Sequence, residues 1–261
     1  VLQACVALAR GDVVAPDTIL EEAHTSESAM APAARLALSL IRGFCHLVGG
    51  AYGDVRNVVR EALASANAEG IHAYDPWLRL VDVVALMCAG DRALAASDLQ
   101  VLESGAARLQ RAHRACIHYV RGWLRTQEND WIGAYREGKT ALAVAVETGM
   151  PWFECLARIA LAQLYATGTD RHNAGAQLRA AQNIALRLKS PWLQFGTRLA
   201  AAAAARAAGD AAAKLDDLRT AFRLAREYGL GPPPAWRPAA LADLCVDALD
   251  AQIEPDVARA L

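Results

Sequence analysis

A dipeptide made of a small or polar residue followed by aspartate recurs at nearly constant intervals along this chain of 261 residues. Successive aspartates are separated by 42, 37, 39, 40 and 40 residues, which indicates a repeated unit of about 40 residues. The six copies are Gly11-Asp12, Gly53-Asp54, Gly90-Asp91, Asn129-Asp130, Thr169-Asp170 and Gly209-Asp210. Because repeats of this length stack as supersecondary units, the period constrains the fold more than any other feature.

Each unit is expected to hold two helices. The aspartate is a natural N-cap of the second helix, and the residue before it ends the first. Proline marks the start of the next first helix, since it is favoured at the first helical position. Such proline-containing helix starts are found at Asp75-Pro76-Trp77, Met150-Pro151-Trp152 and Ser190-Pro191-Trp192, with a longer version at Pro232–Trp236. The glycines that can end the preceding helices are Gly70, Gly149 and Gly229.

The two helices of a unit differ in their apolar pattern. Trp152–Thr167 is apolar nearly all round, as expected for a helix packed on several sides. The following segment is apolar on one face only, through residues such as Leu178 and Ala185. No segment shows sustained alternation with a period of two, so strands are not expected. The pattern predicts an all-α fold of TPR-like helical-hairpin repeats that form an α-solenoid superhelix, as one domain over residues 1–261.

The chain begins without methionine and stops inside a segment that looks helical, so we interpret it as a fragment of a larger multidomain protein. Hydrophobic residues make up 54% of it, and aromatic residues only 6%, because alanine and leucine dominate. A net charge of -1 argues against direct binding of nucleic acid. No apolar run is long enough for a membrane span, and the six unclustered cysteines fit free thiols in a cytoplasmic protein.

Basic side chains recur twelve residues before each aspartate after the first, at Arg42, Arg79, His118, Arg158 and Arg198. Stacked repeats bring equivalent positions into one column, which we call the ladder. If it lines the concave face, its guanidinium groups are candidates for binding a carboxylate or phosphate of a ligand. The alternative, and the commoner case, is that each charge pairs with an acid of its own or the next repeat.

A second basic feature lies on one helix, where Arg111, Arg114, His118, Arg121 and Arg125 form a single stripe. The stripe is a candidate surface for an anionic effector or an acidic partner, or else the exposed side of an ordinary helix. Nearby aromatic residues are candidates for a pocket wall, with core packing as the commoner role. They are Trp123, Trp131 and Tyr135.

Catalytic and metal-binding patterns are missing from the sequence. It contains no GxSxG, HExxH or phosphate-loop motif, and its histidines have no metal-ligand spacing. We therefore expect no enzymatic activity, no cofactor and no metal.

The wording of the repeats resembles that of the TPR-like sensor region of MalT-like, LuxR-type ATP-dependent transcriptional regulators. The similar segments are Gly149–Tyr165 running on to Thr169-Asp170, Pro232–Cys245 and Gln252–Leu261. The resemblance implies a bacterial signal-transduction domain that receives a small-molecule or protein effector. It would relay the signal to partners in the same polypeptide, an ATPase module and a DNA-binding output domain.

Two other classes of function remain open from the sequence. One is a generic TPR scaffold that binds a peptide or a partner protein without a ligand switch. The other is an accessory region of an enzyme, which only the aromatic and basic residues near Trp123 support.

Overall fold

The computed structural model describes residues 30–105 and 109–261, and these ranges contain helices and turns but no strand. The chain divides into two compact units, Val1–His113 and Arg114–Leu261, called unit 1 and unit 2 below. The helices that begin in unit 1 are α1 (Pro32–Gly49), α2 (Tyr52–Glu69), α3 (Asp75–Ala89), α4 (Arg92–Ser104) and α5 (Arg111–Gln127), most of which belongs to unit 2. Unit 2 continues with α6 (Trp131–Glu147), α7 (Pro151–Thr167), α8 (Arg171–Arg187), α9 (Pro191–Ala208), α10 (Ala211–Tyr228), α11 (Pro238–Asp250) and α12 (Pro255–Ala260).

Helices pack against their neighbours in the chain, as the repeat predicts. In unit 1, α1 to α4 contact one another in succession, and the first helices α1 and α3 also touch. In unit 2 the same succession runs from α6 to α12, and the first helices α7 and α9 touch. The prediction of an all-α solenoid is confirmed.

The predicted helix boundaries are largely confirmed. Asp130, Asp170 and Asp210 are N-caps, and each side chain accepts a hydrogen bond from the backbone N–H three residues later. Proline opens α3, α7 and α9 at the expected places. Left-handed backbone ends the preceding helices at Gly90 and Gly209, while Asn129 and Thr169 adopt positive φ where no glycine is present.

One predicted cap is wrong. Asp54 lies inside the first turn of α2, and the N-cap is Ala51. The reason is that Gly50 adopts left-handed backbone and ends α1 three residues earlier than Gly53 would. Ala51 lies 40 residues before Asp91, so the repeat is more regular in the structure than its aspartates suggest.

The prediction that the proline run starts a helix is also wrong. Pro232–Trp236 is irregular, and α11 begins at Pro238 instead. Consecutive prolines disfavour helical backbone at the residue before each of them, so no helix starts here, and Pro234 and Ala235 form a turn with Ala235 at positive φ. We call residues 230–237 the strap.

The two classes of helix are confirmed by their burial. In α7 the buried residues face several directions and include Cys155, Leu156 and Leu161, whereas in α8 they lie at spacings of three and four from Ala174 to Ala185. The largest fully buried side chains of unit 2 include Phe195 of α9 and Phe222 of α10. None of the helices in the described ranges has the length and apolar character needed to cross a membrane.

The described cysteines are free thiols, as predicted, and they are Cys45, Cys88, Cys116, Cys155 and Cys245. Burial raises the pKa of Cys116 and of Cys155 to about 12. Both thiols are therefore protonated at neutral pH and poor nucleophiles. Cys5 lies outside the described residues, as do Gly11 and Asp12 of the first repeat.

Candidate functional site: a tryptophan-lined pocket in unit 2

A pocket of about 400 Å3 lies within unit 2, in the size range of small-molecule sites. Its walls come from the first helices α5, α7 and α9, from the start of α6, from the strap and from α11. The lining residues are Tyr119, Gly122, Trp123, Thr126, Trp131, Ala134, Gly138, Ala160, Gln163, Leu164, Ala166, Thr167, Ala200, Ala203, Arg206, Ala207, Ala235, Trp236, Arg237, Ala240, Asp243 and Leu244.

Three first helices contribute equivalent repeat positions to this pocket. Seven residues before the N-cap aspartate stand Trp123 in α5, Gln163 in α7 and Ala203 in α9. Four residues before it stand Thr126, Ala166 and Arg206. Positions three residues apart lie on one face of a helix, so the repeat itself builds a continuous wall.

The strap crosses from the end of unit 2 back to α5 and α6. The side-chain amide of Gln127 donates a hydrogen bond of 3.0 Å to the backbone carbonyl of Trp236. The guanidinium of Arg237 lies 5.1 Å from the ring centroid of Trp131, a cation–π contact, and 3.4 Å from Oδ1 of Asn129. These contacts join residues more than 100 positions apart and hold the strap against the pocket.

Three hydrogen-bond donors on the pocket lining are buried without an acceptor among the described residues. They are the indole N–H groups of Trp123 and Trp236 and the side-chain amide nitrogen of Gln163. The two indole side chains are 5% and 4% exposed, so solvent has little access to them. An unsatisfied buried donor costs about 1–3 kcal/mol, and native structures hold few of them.

The charges at the rim of the pocket are partly neutralised. Arg206 binds Asp243 at 2.7 Å and Asp247 at 3.0 Å, and Lys214 binds Asp247 at 2.8 Å. This network ties α9 and α10 to α11. Arg237 has no carboxylate partner within the residues that the structure describes, so the rim carries a local positive charge.

Three members of the ladder pair within their own repeat. Nδ1 of His118 lies 2.7 Å from Oε2 of Glu137, and Nη1 of Arg198 lies 2.8 Å from Oδ1 of Asp217. Arg158 donates to the side-chain oxygen of Gln177 at 2.9 Å and also binds Glu154. In all three repeats a partner stands nineteen residues after the basic side chain, on the second helix.

The other two ladder positions are in unit 1. Arg79 is exposed and acts electrostatically on Asp82. Arg42 is half-buried and lies three residues beyond the ladder position, because the N-cap is Ala51 instead of Asp54. Arg42 therefore does not share the register of the other four.

The residues of the basic stripe also differ in whether they contact an acidic side chain. Arg125 binds Asp130 at 2.6 Å and lies 4.0 Å from Glu137, which His118 also contacts. Arg114 is exposed and Arg121 is half-buried. The backbone N–H of Gly133 and the Arg125 guanidinium lower the pKa of Asp130. Two of the five stripe residues are thus bound to α6, and none of the five lines the pocket.

The aromatic residues divide differently from the prediction. Trp123 and Trp131 line the pocket, but Tyr135 lies outside it, with its hydroxyl 3.0 Å from that of Tyr165. Trp236 also lines the pocket, from the strap. Trp152 and Trp192 do pack between repeats, with ring centroids 5.2 Å apart.

The other two lining residues with an unpaired buried donor are not among the sites predicted from the sequence. They are Gln163 and Trp236, and comparing equivalent positions across repeats would have found Gln163. Among the described residues, no group of three or more His, Cys, Asp or Glu side chains is placed to hold a metal ion.

No model of a known protein family matches this chain, and no curated protein matches it significantly. Among solved structures, BtubC (BKLC) from P. vanneervenii is similar, with a TM-score of 0.52 and 15% sequence identity. The similarity covers 80% of this chain and 85% of that one. BtubC is likewise a helical repeat protein, so this comparison supports the class of the fold, an α-solenoid, and carries no information on function.

Proposed function

We propose that this chain is the effector-receiving domain of a MalT-like, ATP-dependent transcriptional regulator of the cytoplasm, and that the pocket of unit 2 receives the effector. The observation that carries the proposal is a small-molecule-sized pocket whose lining holds three unpaired buried donors. Buried polar groups without a protein partner beside a cavity leave hydrogen-bonding capacity that a ligand or an ordered water can use.

The strap supplies a means of relay. It holds the last helices of unit 2 to α5 and α6 through a small number of contacts at Gln127, Asn129 and Trp131. A ligand that binds one arrangement of the strap more tightly than another shifts the population toward that arrangement. The signal would pass to an ATPase module and a DNA-binding output domain in the same polypeptide, and the chain itself would have no enzymatic role.

The first test is to read the coding sequence on both sides of this chain. A phosphate-loop ATPase before it and a DNA-binding domain after it are expected. Flanks with neither domain would contradict the regulator and leave the scaffold for a peptide or a partner protein as the better account.

The second test uses the full-length protein in a reporter assay of transcription. Ala203→Phe, which fills the pocket, should abolish the response to the inducing effector while leaving the protein folded. The matched control is Ala212→Phe, at an exposed alanine of α10 that does not line the pocket. A reporter response unchanged by Ala203→Phe would separate the pocket from sensing.

A further inference from the structure

We infer that the pocket of unit 2 takes a flat, conjugated molecule with acceptor oxygens, of the class of aromatic carboxylates. The inference deepens the proposed function, on which it rests only for the view that the ligand is an effector. It is argued from the hydrogen-bonding groups, the ring faces and the charges of the pocket.

The hydrogen-bonding groups of the lining favour an acceptor-rich ligand. Trp123, Gln163 and Trp236 each present a donor that no described residue satisfies. The hydroxyl protons of Thr126 and Thr167 are already donated to backbone carbonyls within their own helices. The threonine oxygens keep their acceptor lone pairs, so a polyol, which brings both donors and acceptors, is the competing ligand class that the experiment has to exclude.

The few charged acceptors of the pocket are also engaged. Asp243, the carboxylate of the lining, is bound by Arg206 at 2.7 Å. A ligand that donates hydrogen bonds or carries a positive charge would have to compete with that ion pair. A carboxylate would instead meet Arg237, whose guanidinium has no carboxylate partner within the part of the chain that the structure describes.

The walls favour a planar shape. Four aromatic rings line the pocket, from Tyr119, Trp123, Trp131 and Trp236, and much of the remaining surface is alanine. Indole faces pack well against flat conjugated rings in offset or edge-to-face arrangements. The small alanine side chains leave a broad space between the helices without adding polar groups.

A ligand reaches the donors only if part of the pocket lining, such as the strap, moves. The three unpaired donor atoms have almost no solvent exposure in this arrangement. The strap is largely buried, and its polar contacts to α5 and α6 are one hydrogen bond to the carbonyl of Trp236 and the contacts of Arg237. Its prolines have no N–H groups with which to add backbone hydrogen bonds. A ligand that satisfies the donors would favour the shifted strap.

The experiment titrates 2-naphthoate into the complete chain and follows tryptophan fluorescence and the heat of binding. Three comparison probes are titrated in the same way: naphthalen-2-ylmethylammonium has the opposite charge, cyclohexanecarboxylate is a smaller carboxylate without a flat ring, and sucrose is an uncharged polyol. We expect saturable binding of 2-naphthoate, at least about tenfold tighter than any of the three. Equal binding of cyclohexanecarboxylate or of the ammonium probe, tighter binding of sucrose, or no saturable binding of 2-naphthoate would overturn the inference.

Variants then locate the probe. Trp123→Phe keeps a ring but removes the indole donor, and it should weaken binding of 2-naphthoate by about tenfold, the equivalent of one hydrogen bond. Trp152→Phe is the matched control, because Trp152 stacks on Trp192 and does not line the pocket. Its affinity should equal that of the wild type, and an equal loss in both variants would contradict the assignment to this pocket.

A filled pocket provides the last check. Ala203→Phe should abolish binding of 2-naphthoate, and Ala240→Leu, which fills the pocket from α11, serves if the first variant does not fold. Unchanged binding in a folded variant would overturn the site. If 2-naphthoate binds but the coding sequence on both sides of the chain holds neither an ATPase nor a DNA-binding domain, the regulator is refuted and the ligand class is not, so the two proposals can fail separately.

Discussion

The ladder and the pocket lie on the same three helices of unit 2, but their polar groups differ in whether they have partners. His118, Arg158 and Arg198 each contact a side chain nineteen residues later in the same repeat. Five residues after two of these positions stand Trp123 and Gln163, whose donors have no acceptor among the described residues. Five residues correspond to about 140° of rotation around a helix, so the two sets face different surroundings.

This difference separates structural polar groups from candidate binding groups. A basic side chain is conspicuous in a sequence, but its charge can be satisfied inside the repeat that carries it. An indole or an amide is inconspicuous, but without a partner it leaves hydrogen-bonding capacity for a ligand. In this chain the less conspicuous set lines the cavity.

The largest effect should come from removing Glu137, the acid that contacts His118 of the ladder and Arg125 of the stripe. Glu137→Ala takes the partner from His118 and the nearby charge from Arg125, and we expect the free energy of unfolding to fall by about 2 kcal/mol. Urea unfolding measures this change. Glu137→Gln keeps an acceptor and should lose less, while affinity for 2-naphthoate should be unchanged in both. Weaker probe binding in a folded Glu137→Ala variant would mean that the ladder and the pocket act as one site.

A matched pair of substitutions in α7 should shift stability in opposite directions. Arg158→Met removes contacts to Glu154 and Gln177, and it should lower the free energy of unfolding by about 1 kcal/mol. Gln163→Met removes an unpaired amide from an apolar wall, and it should raise that free energy or leave it unchanged. Both are read by urea unfolding of the chain without ligand. A loss at Gln163→Met as large as that at Arg158→Met would contradict the comparison.

The smallest effect concerns pH and the N-cap of α6. Hydrogen bonds from Gly133 and Arg125 lower the pKa of Asp130 from its ordinary value of 3.8. A lowered carboxyl pKa in the folded state stabilises the protein above that ordinary value, and this contribution is lost as the pH falls through the lowered pKa. We expect the melting temperature to fall below about pH 4.

The variant Asp130→Asn separates titration from capping, because asparagine caps helices as well as aspartate does. Its melting temperature should depend less on pH in this acid range than that of the wild type. Identical pH profiles for the two proteins would show that Asp130 does not contribute to acid unfolding.

The fold was predictable because the helix boundaries are written locally in the sequence. Prolines at the first turn of α7 and α9 and aspartates at the caps of α6, α8 and α10 gave the correct elements. The prediction failed at Asp54 because two nearby glycines, Gly50 and Gly53, offered alternative ends to α1, and only packing decides between them.

The pocket was less predictable because it depends on contacts between distant residues. Trp123 and Trp131 are candidates from the sequence. The strap, which lines the same pocket through Trp236, lies more than 100 residues later in the chain. No local sequence pattern in Pro232–Trp236 predicts that this segment contacts α5. The ladder, in contrast, carries its partners at a fixed interval, so aligning the repeats would have revealed Glu137 and Asp217 beforehand.

The alanines of the pocket have a consequence for the design of altered specificity. Eight of the lining residues are alanine, and five of them lie on the first helices α7 and α9: Ala160, Ala166, Ala200, Ala203 and Ala207. Because these small side chains alone set the depth of the space, a single added methyl or isopropyl group would reshape it without moving the backbone. Under the proposed function, relatives of this chain would diverge in the molecules they bind through one-residue steps, and a domain tuned to a chosen compound can be sought by varying these alanines.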